Sequence, residues 1–454
     1  MGDVRVMLLL LLICRLCHVA SAFDTNPPGY GAETNPTGDP IGGGKGYRRI
    51  VQSGNYTVAT KEELLSALEK AKPGETVYVA PGAEIDLTGH VGTAIPDGVT
   101  LGGNRGADSP SPLIHTTSLP KSRGLFIARS HARITGLRIK GPDCDFPQID
   151  YDKVPRSWAK AITARGENIE VDNCEISNFH HSGVSVQGRN VHVHHNHIHD
   201  VHAYPVVTAD KARMPMLIEA NEIHWIWHTI AGTGGPETGY EARFNLCIRE
   251  QPPASWGEKH KSHGFDMHAY RPVSRATKRR IAGDVILIHH NTMRNNGPAL
   301  GALIRGIPRD ICRVYRNWFS NPDPALAVGQ LEPHANVWVT DNAHGPEKKV
   351  VAMGTPTTAQ IRFKQPPPPA AEPAVVSGPL PLDIEVNVPE GLTLKQVVVT
   401  VGDKEIYSGG KAPAPKQVVV DTGTLGKGDH IVRVTATDNR DVKAQHETTV
   451  RIEE

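Results

Sequence analysis

Neither sign of charge prevails in this chain: 49 lysines and arginines stand against 48 aspartates and glutamates, a formal net charge of +1. That balance gives no field of the kind that holds nucleic acid or anionic membranes, and neither partner is expected. Aromatic side chains are scarce at 5%, whereas glycine (44) and proline (36) abound. Turns are therefore many and elements short. Long apolar runs are missing too. Only Val6 to Ile13 is unbroken, and it is too short to span a bilayer. Cysteines number six, and two of them, Cys14 and Cys17, fall in or beside that apolar stretch. The others, Cys144, Cys174, Cys247 and Cys312, are widely separated and lack zinc-site spacing. They are expected as small core residues, although an exported protein permits disulfides.

What the chain does contain is a recurring pattern: apolar, any, apolar, two further residues, Asn, any, apolar. It runs as Val191, Val193, Asn196, Ile198 and as Met216, Ile218, Asn221, Ile223. It returns as Ile286, Ile288, Asn291, Met293, then as Val314, Asn317, Phe319, and fades at Val337, Val339, Asn342. An early copy, Ile169, Val171, Asn173, Ile176, has its Asn one residue nearer the strand. The steps 196 to 221, 291 to 317 and 317 to 342 are 25, 26 and 25 residues. Short alternating runs inside a period in the twenties indicate strands stacked in a solenoid. One run cannot bury its apolar face alone, so coil must stack on coil. Asn suits the bend between two strands, because it tolerates the left-handed region and bonds nearby backbone. Stacked Asn side chains can also bond one another.

On this repeat, residues 55–345 resemble the right-handed parallel β-helix of the pectate-lyase-like superfamily. The expected class is all-β, with each coil made of first, second and third strands. Residues 1–22, with Arg5, the apolar run and Ala20-Ser21-Ala22, read as a signal peptide, so the protein is expected to be secreted, extracellular or periplasmic. Residues 23–54 are expected as a loose arm. Lys61 to Ala71 has helical spacing, with Thr60 as N-cap and Glu63 three residues on, and should cap the solenoid. Residues 346–380, with Pro366 to Pro369, read as a linker. Residues 381–454 read as an antiparallel β-sandwich resembling immunoglobulin or fibronectin type III modules.

The resemblance implies a substrate groove along the outside of the first sheet. First-sheet strands aligned back from the second are Ala161–Ala164, Val184–Val186, Val206–Thr208, Thr229–Gly232, Phe265–His268, Ala302–Arg305 and Ala325–Val328. Alternation turns Phe265 and Met267 inward, and Asp266 and His268 outward. His268 and Arg305 then become neighbours about 4.8 Å apart on adjacent coils, with Arg165 and Gln187 further along the column. This coil also carries extra chain on both sides of its first strand. One insertion holds Trp256, Glu258, Lys259, His260 and Lys261; the other holds Arg271, Arg275, Lys278, Arg279 and Arg280. Loops on both sides of one strand would wall a cleft.

A carboxylate, imidazoles and a guanidinium on one face suit β-elimination from a uronate. A base takes the proton alpha to the carboxylate, a cation stabilises the enediolate, and an acid protonates the leaving oxygen. Asp266, His268, Arg305 and His263 are the catalytic candidates. Lys259, Lys261, Arg271, His228 and Trp227 are the substrate-binding ones. The expected function is degradation of an acidic polysaccharide by a monomeric, lyase-like enzyme. Ca²⁺ is the cofactor the resemblance implies, but one acidic candidate, Asp266, does not make its usual cradle, and no metal ligand is assigned. A glycan-binding surface protein and a metal-dependent glycan hydrolase are the alternatives. The hydrolase reading looks to His192, His194, His197 and His199, where register places His194 between Asp172 and Glu219. Surface pairs across stacked strands are the favoured reading of those histidines.

Overall fold

The computed structural model describes residues 27–453 apart from 144, 146–156, 210–211, 251–261, 271–280, 296, 298, 331–336, 352–359, 366–373, 389–392, 411–416 and 440–442. The proposed signal segment lies outside the described residues. Successive strands pass in turn to three parallel sheets, so that each coil adds one rung to each sheet. Lys160–Ala164, Glu167–Asp172 and Glu175–Phe179 make one such coil. The first sheet has nine described strands and the second and third eleven each, the last of the third, Lys349–Val351, running antiparallel to its neighbour. The apolar periodicity becomes vertical columns. In the second sheet Val171, Val193 and Ile218 stack in register, and Ala242, Ile288, Val314 and Val339 continue them. All seven are buried in one continuous core. Cys174, Cys247 and Cys312 lie in that core as free thiols, and burial pushes Cys174 up to about 12. They fill volume rather than form bridges; Cys144 lies outside the described residues.

The asparagines form a buried ladder at the bend between second and third strands. Nδ2 of Asn196 donates to Oδ1 of Asn221 at 3.0 Å. The same bond links Asn221 to Asn245, Asn245 to Asn291, Asn291 to Asn317 and Asn317 to Asn342 at 2.9–3.0 Å. Tolerance of the left-handed region is not what selects asparagine here. The left-handed residue is the one before it: His195, Ala220, Phe244, His290, Arg316 and Asp341 all have φ between 51° and 55° or, for Phe244, 56°. Asn173 itself has φ 51° and stands at that preceding position. Cys174 takes the ladder position after it, and its N–H donates to Asn196 Oδ1. The early copy with a displaced Asn is thus the last rung before the ladder begins.

The helix Lys61–Lys70 closes one end of the core with Leu64, Ala67 and Leu68, and its Thr60–Glu63 capping box is complete. The arm is not loose. Its described residues, 27–54, run along the bend edge of the stack and reach rungs as far apart as those of Asp341 and Arg133. Pro27 O accepts from His290 Nε2 at 3.0 Å, Gly42 N donates to Ala220 O at 2.9 Å, and Arg133 reaches Arg49 O. Tyr47 Oη donates to Asp172 Oδ2 at 2.7 Å. Small and polar residues let this strap lie close: a Cβ on Gly43, whose φ is 69°, would sit 2.3 Å from His195 O.

Past the coil, strands of a second unit share a separate buried core that includes Leu382, Ile384, Val397, Val399, Val432 and Val434. One sheet holds Gln360–Gln365, Leu380–Asn387 and Gln417–Val420; the other holds Ala374–Val376, Lys443–Ile452, Gly428–Asp438, Leu394–Val401 and Lys404–Gly410. Two of these strands come from the stretch expected as a linker. One of them, Ala374–Val376, pairs parallel with Val450–Ile452, so the unit is not wholly antiparallel. Lys404–Gly410, an additional strand, has mostly exposed side chains and little apolar alternation to reveal it.

Candidate active site on the first sheet

The strand His263–Met267 pairs with Leu300–Ile304, with Phe265 opposite Ala302 and Asp266 opposite Leu303. Phe265 and Met267 enter the core as alternation requires. Asp266 faces the other way, yet it is fully buried, because charged and ring side chains close over it. Arg305 grips it with two parallel bonds, Nε to Oδ1 and Nη2 to Oδ2, both 2.9 Å. His268 Nε2 lies 2.6 Å from Oδ2. His263 Nε2 lies 2.9 Å from Oδ1 and 3.0 Å from Arg305 Nη2. His268 follows the strand directly; its N–H bonds Gly232 O, and Arg305 N–H bonds Met267 O. The backbone ladder therefore holds both side chains at the same level. Burial opposes ionisation of Asp266, but hydrogen bonds from His263 and His268 outweigh it and hold the carboxyl well below the usual range.

Accessibility separates the roles. The His268 side chain is 35% exposed and that of Arg305 29%, against 8% for His263 and 1% for His228. A carboxylate can only accept, so His268 Nε2 carries a proton, and in the neutral ring Nδ1 is then the nitrogen with the lone pair. Arg305 Nη1 makes no hydrogen bond to any described residue. His263 is occupied by Asp266 and Arg305 and has little contact with solvent. His228 is sealed in: Nδ1–H donates to His263 O at 2.9 Å, and burial pushes its pKa down to about 3, so the ring is neutral. It packs the site and does not present itself to substrate.

Tyr204, which sequence reasoning missed, stands beside this group. Its ring stacks on His228 at 5.3 Å and 12° and on Trp227 at 6.2 Å and 17°, and meets His268 edge-on at 6.2 Å. Burial and the Asp266 charge both raise its pKa, so the phenol stays protonated. Trp227 and Tyr204 are half-buried, as a sugar-stacking wall needs. The available signal was one-strand alternation: Tyr204 begins Tyr204–Thr208, two strands from Asp266 on the same sheet. Lys259, Lys261 and Arg271 lie outside the described residues.

The same sheet carries a cavity of about 520 Å³ on the far side of Tyr204. Arg123, Lys160 and Arg165 line it, with Gln187. None of the three cations pairs with a carboxylate among the described residues. Strand Lys160–Ala164 is four strands from His263–Met267, roughly 19 Å along the stack. Arg165 and Gln187 thus both line one cavity on the outer face of the first sheet.

Ca²⁺ does not fit this site. It takes six to eight oxygens, whereas the described residues here offer one carboxylate, already saturated by a guanidinium, among nitrogen donors. The His194 register is as the sequence required, with Asp172 and Glu219 opposite it. Those carboxylates are taken by arginines, however: Asp172 by Arg133 and Glu219 by Arg243. His194 itself binds Glu170 at 2.8 Å. The two carboxylates pair with arginines and His194 hydrogen-bonds Glu170 across stacked strands, but Asp172, His194 and Glu219 are buried, so these are not the surface pairs expected.

No protein-family model matches the sequence, and no curated protein matches it. Among solved structures the chain is similar to a tailspike protein, gp49, from Acinetobacter baumannii bacteriophage Fri1, a capsular polysaccharide depolymerase. The TM-score is 0.36 and the identity 9%, over 88% of this chain and 78% of that one. It is also similar to an alginate lyase from Paenibacillus sp. str. FPU-7, with a TM-score of 0.31 and 14% identity, over 64% of this chain and 98% of that one.

Proposed function

We propose that this protein is a secreted polysaccharide lyase that cleaves an acidic polymer on the outer face of its first sheet. The observation that carries this reading is the partly exposed imidazole of His268, oriented by a buried carboxylate that Arg305 holds through two bonds. Asp266 sets the tautomer of His268 and stabilises the imidazolium that forms when Nδ1 takes the proton alpha to the uronate carboxylate. Arg305 Nη1 is the nearby donor for that substrate carboxylate as negative charge moves onto it. Tyr204 is the protonated group placed to donate to the leaving oxygen. His263 holds the Asp266–Arg305 pair, and Trp227 with Tyr204 supplies a face for a sugar ring.

A glycosidase would need a carboxylate free to attack or to activate water. Asp266 is buried and doubly bonded to a guanidinium, which disfavours that role. The acidic character of the polymer is inferred from Arg123, Lys160 and Arg165 in the cavity on the same face.

Incubation with a panel of uronate polymers should give the ultraviolet absorbance of an unsaturated product. His268→Ala should lower its formation by roughly 10²-fold or more, with the thermal midpoint little changed because the ring is partly exposed. New reducing ends without that absorbance would indicate hydrolysis. Polymer binding without any cleavage would leave a glycan-binding protein.

A further inference from the structure

The outer face of the third sheet carries a second constellation. Strand His197–Val201 lies beside Glu222–Trp225, with His197 opposite Glu222, and His224 follows two residues on along the same face. Glu222 Oε1 stands 3.1 Å from His224 Nε2 and 3.8 Å from His197 Nε2. One donor atom from each of the three lies within 4.8 Å of the others. Ligands at about 2.0–2.1 Å from a tetrahedral zinc are separated by roughly 3.3 Å, which is near the two measured edges. The two rings lie edge to face at 5.4 Å, so that both can aim a nitrogen at one point.

A second feature points the same way. His224 Nδ1 is bonded to Glu250 Oε1 at 2.7 Å. Metal-bound imidazoles are characteristically held by a carboxylate on the other nitrogen, which fixes the tautomer and leaves a lone pair for the ion. Here Glu250 holds Nδ1, so Nε2, which faces Glu222 at 3.1 Å, is the nitrogen that would give up its proton to an ion.

In the other two histidine–carboxylate groups an arginine already holds the carboxylate. Glu170, beside His192 and His194, is bonded by Arg49. Asp266, beside His228 and His263, is bonded by Arg305. Glu222 pairs with no Lys or Arg among the described residues, and the neighbouring Arg105 is committed to Gly42 O and Asn173. The three side chains are 25–33% exposed, so an ion can reach them.

We propose that His197, Glu222 and His224 form a zinc site on the third sheet, with Glu250 as its positioning residue and the fourth position left to water. The site is separate from the Asp266 cluster on the first sheet, so its existence does not depend on the lyase reading.

The test is calorimetric titration of ZnCl₂ into the untagged, chelator-treated full-length protein, with bound metal counted after desalting. One zinc per chain with micromolar or tighter affinity is expected. His197→Gln and His224→Ala should each weaken it roughly tenfold or more, and Glu250→Gln, which leaves every ligand in place, by roughly tenfold. His194→Gln, on the second sheet, should leave it unchanged. Absence of saturable binding overturns the proposal. So does wild-type affinity in either ligand variant or in Glu250→Gln, or loss of the site in His194→Gln.

Discussion

Arg305 and Asp266 belong to adjacent rungs of the first sheet, 39 residues apart in the chain, and meet through two parallel 2.9 Å bonds. The pair is asymmetric: Asp266 is fully buried, whereas the arginine side chain is 29% exposed. Removing the arginine should therefore cost more than a surface ion pair would. Arg305→Met is expected to destabilise by about 3 kcal/mol, because it leaves a buried carboxylate without its cation. Chemical denaturation should show it, and Arg305→Lys should recover only part, since a lysine cannot make the two-pronged bond.

The asparagine ladder predicts a loss of similar size at a site far from any chemistry. Asn291 accepts from the backbone N–H and the side chain of Asn245 and donates to Ala242 O and Asn317 Oδ1. All of this is inside the protein. Asn291→Ala should cost roughly 2–4 kcal/mol, because it strands buried donors and acceptors at about 1–3 kcal/mol each. The thermal midpoint of the variant would reveal it. A change within error would mean that water replaces the side chain.

The arm gives a more local test. Tyr47→Phe removes one hydrogen bond to Asp172, which Arg133 and Thr135 continue to hold. A loss of about 1.5 kcal/mol is expected. Limited proteolysis should show faster cleavage within residues 27–54, with the coil itself intact.

Stability should decline on both sides of neutrality. Burial pushes His181, His195 and His228 each down to about 3. Unfolded, they titrate near ~6.5, so between these values the unfolded chain binds protons that the native one refuses. Stability is then full above about 6.5 and falls as pH drops toward 3, by up to roughly 1.4 kcal/mol per unit for each ring. His199 has the opposite sign. Burial works against its charge, but Asp200 and Glu175 raise it to about 9. Its contribution is full below the unfolded value and is lost as pH rises through 9. Thermal midpoints across pH 4–10 should trace both limbs, and His199→Gln should flatten the alkaline one.

The coil was legible in the residues because its information is local. Alternation within three to five residues sets which side chains enter the core, and the Asn spacing sets the rung. Ala302 and Phe265 therefore pair as read. One first-sheet strand did slip: the expected Ala325–Val328 is a short 3-10 turn at Pro324–Leu326 followed by Val328–Gln330. Pro324 has no N–H and a φ already suited to that turn, which displaced the pattern.

Sequence alone determined the stacking of coils, from the period in the twenties, and the face on which Asp266, His268 and Arg305 fall, from the period of two within a strand; of the ladder it marked every member but Asn245 and placed Asn173 on it wrongly. Only the tertiary structure decided the surroundings of those groups. It buried Asp266 under Arg305, sealed His228 away, brought Tyr204 against His228 and His268 and laid the arm along the bends. It also enlisted two strands from the proline-rich stretch into the C-terminal unit. These outcomes depend on contacts between residues tens to hundreds of positions apart, such as Pro27 with His290. A pattern read along one strand sets where a side chain points, whereas its partner is chosen by whatever else the fold brings to that side.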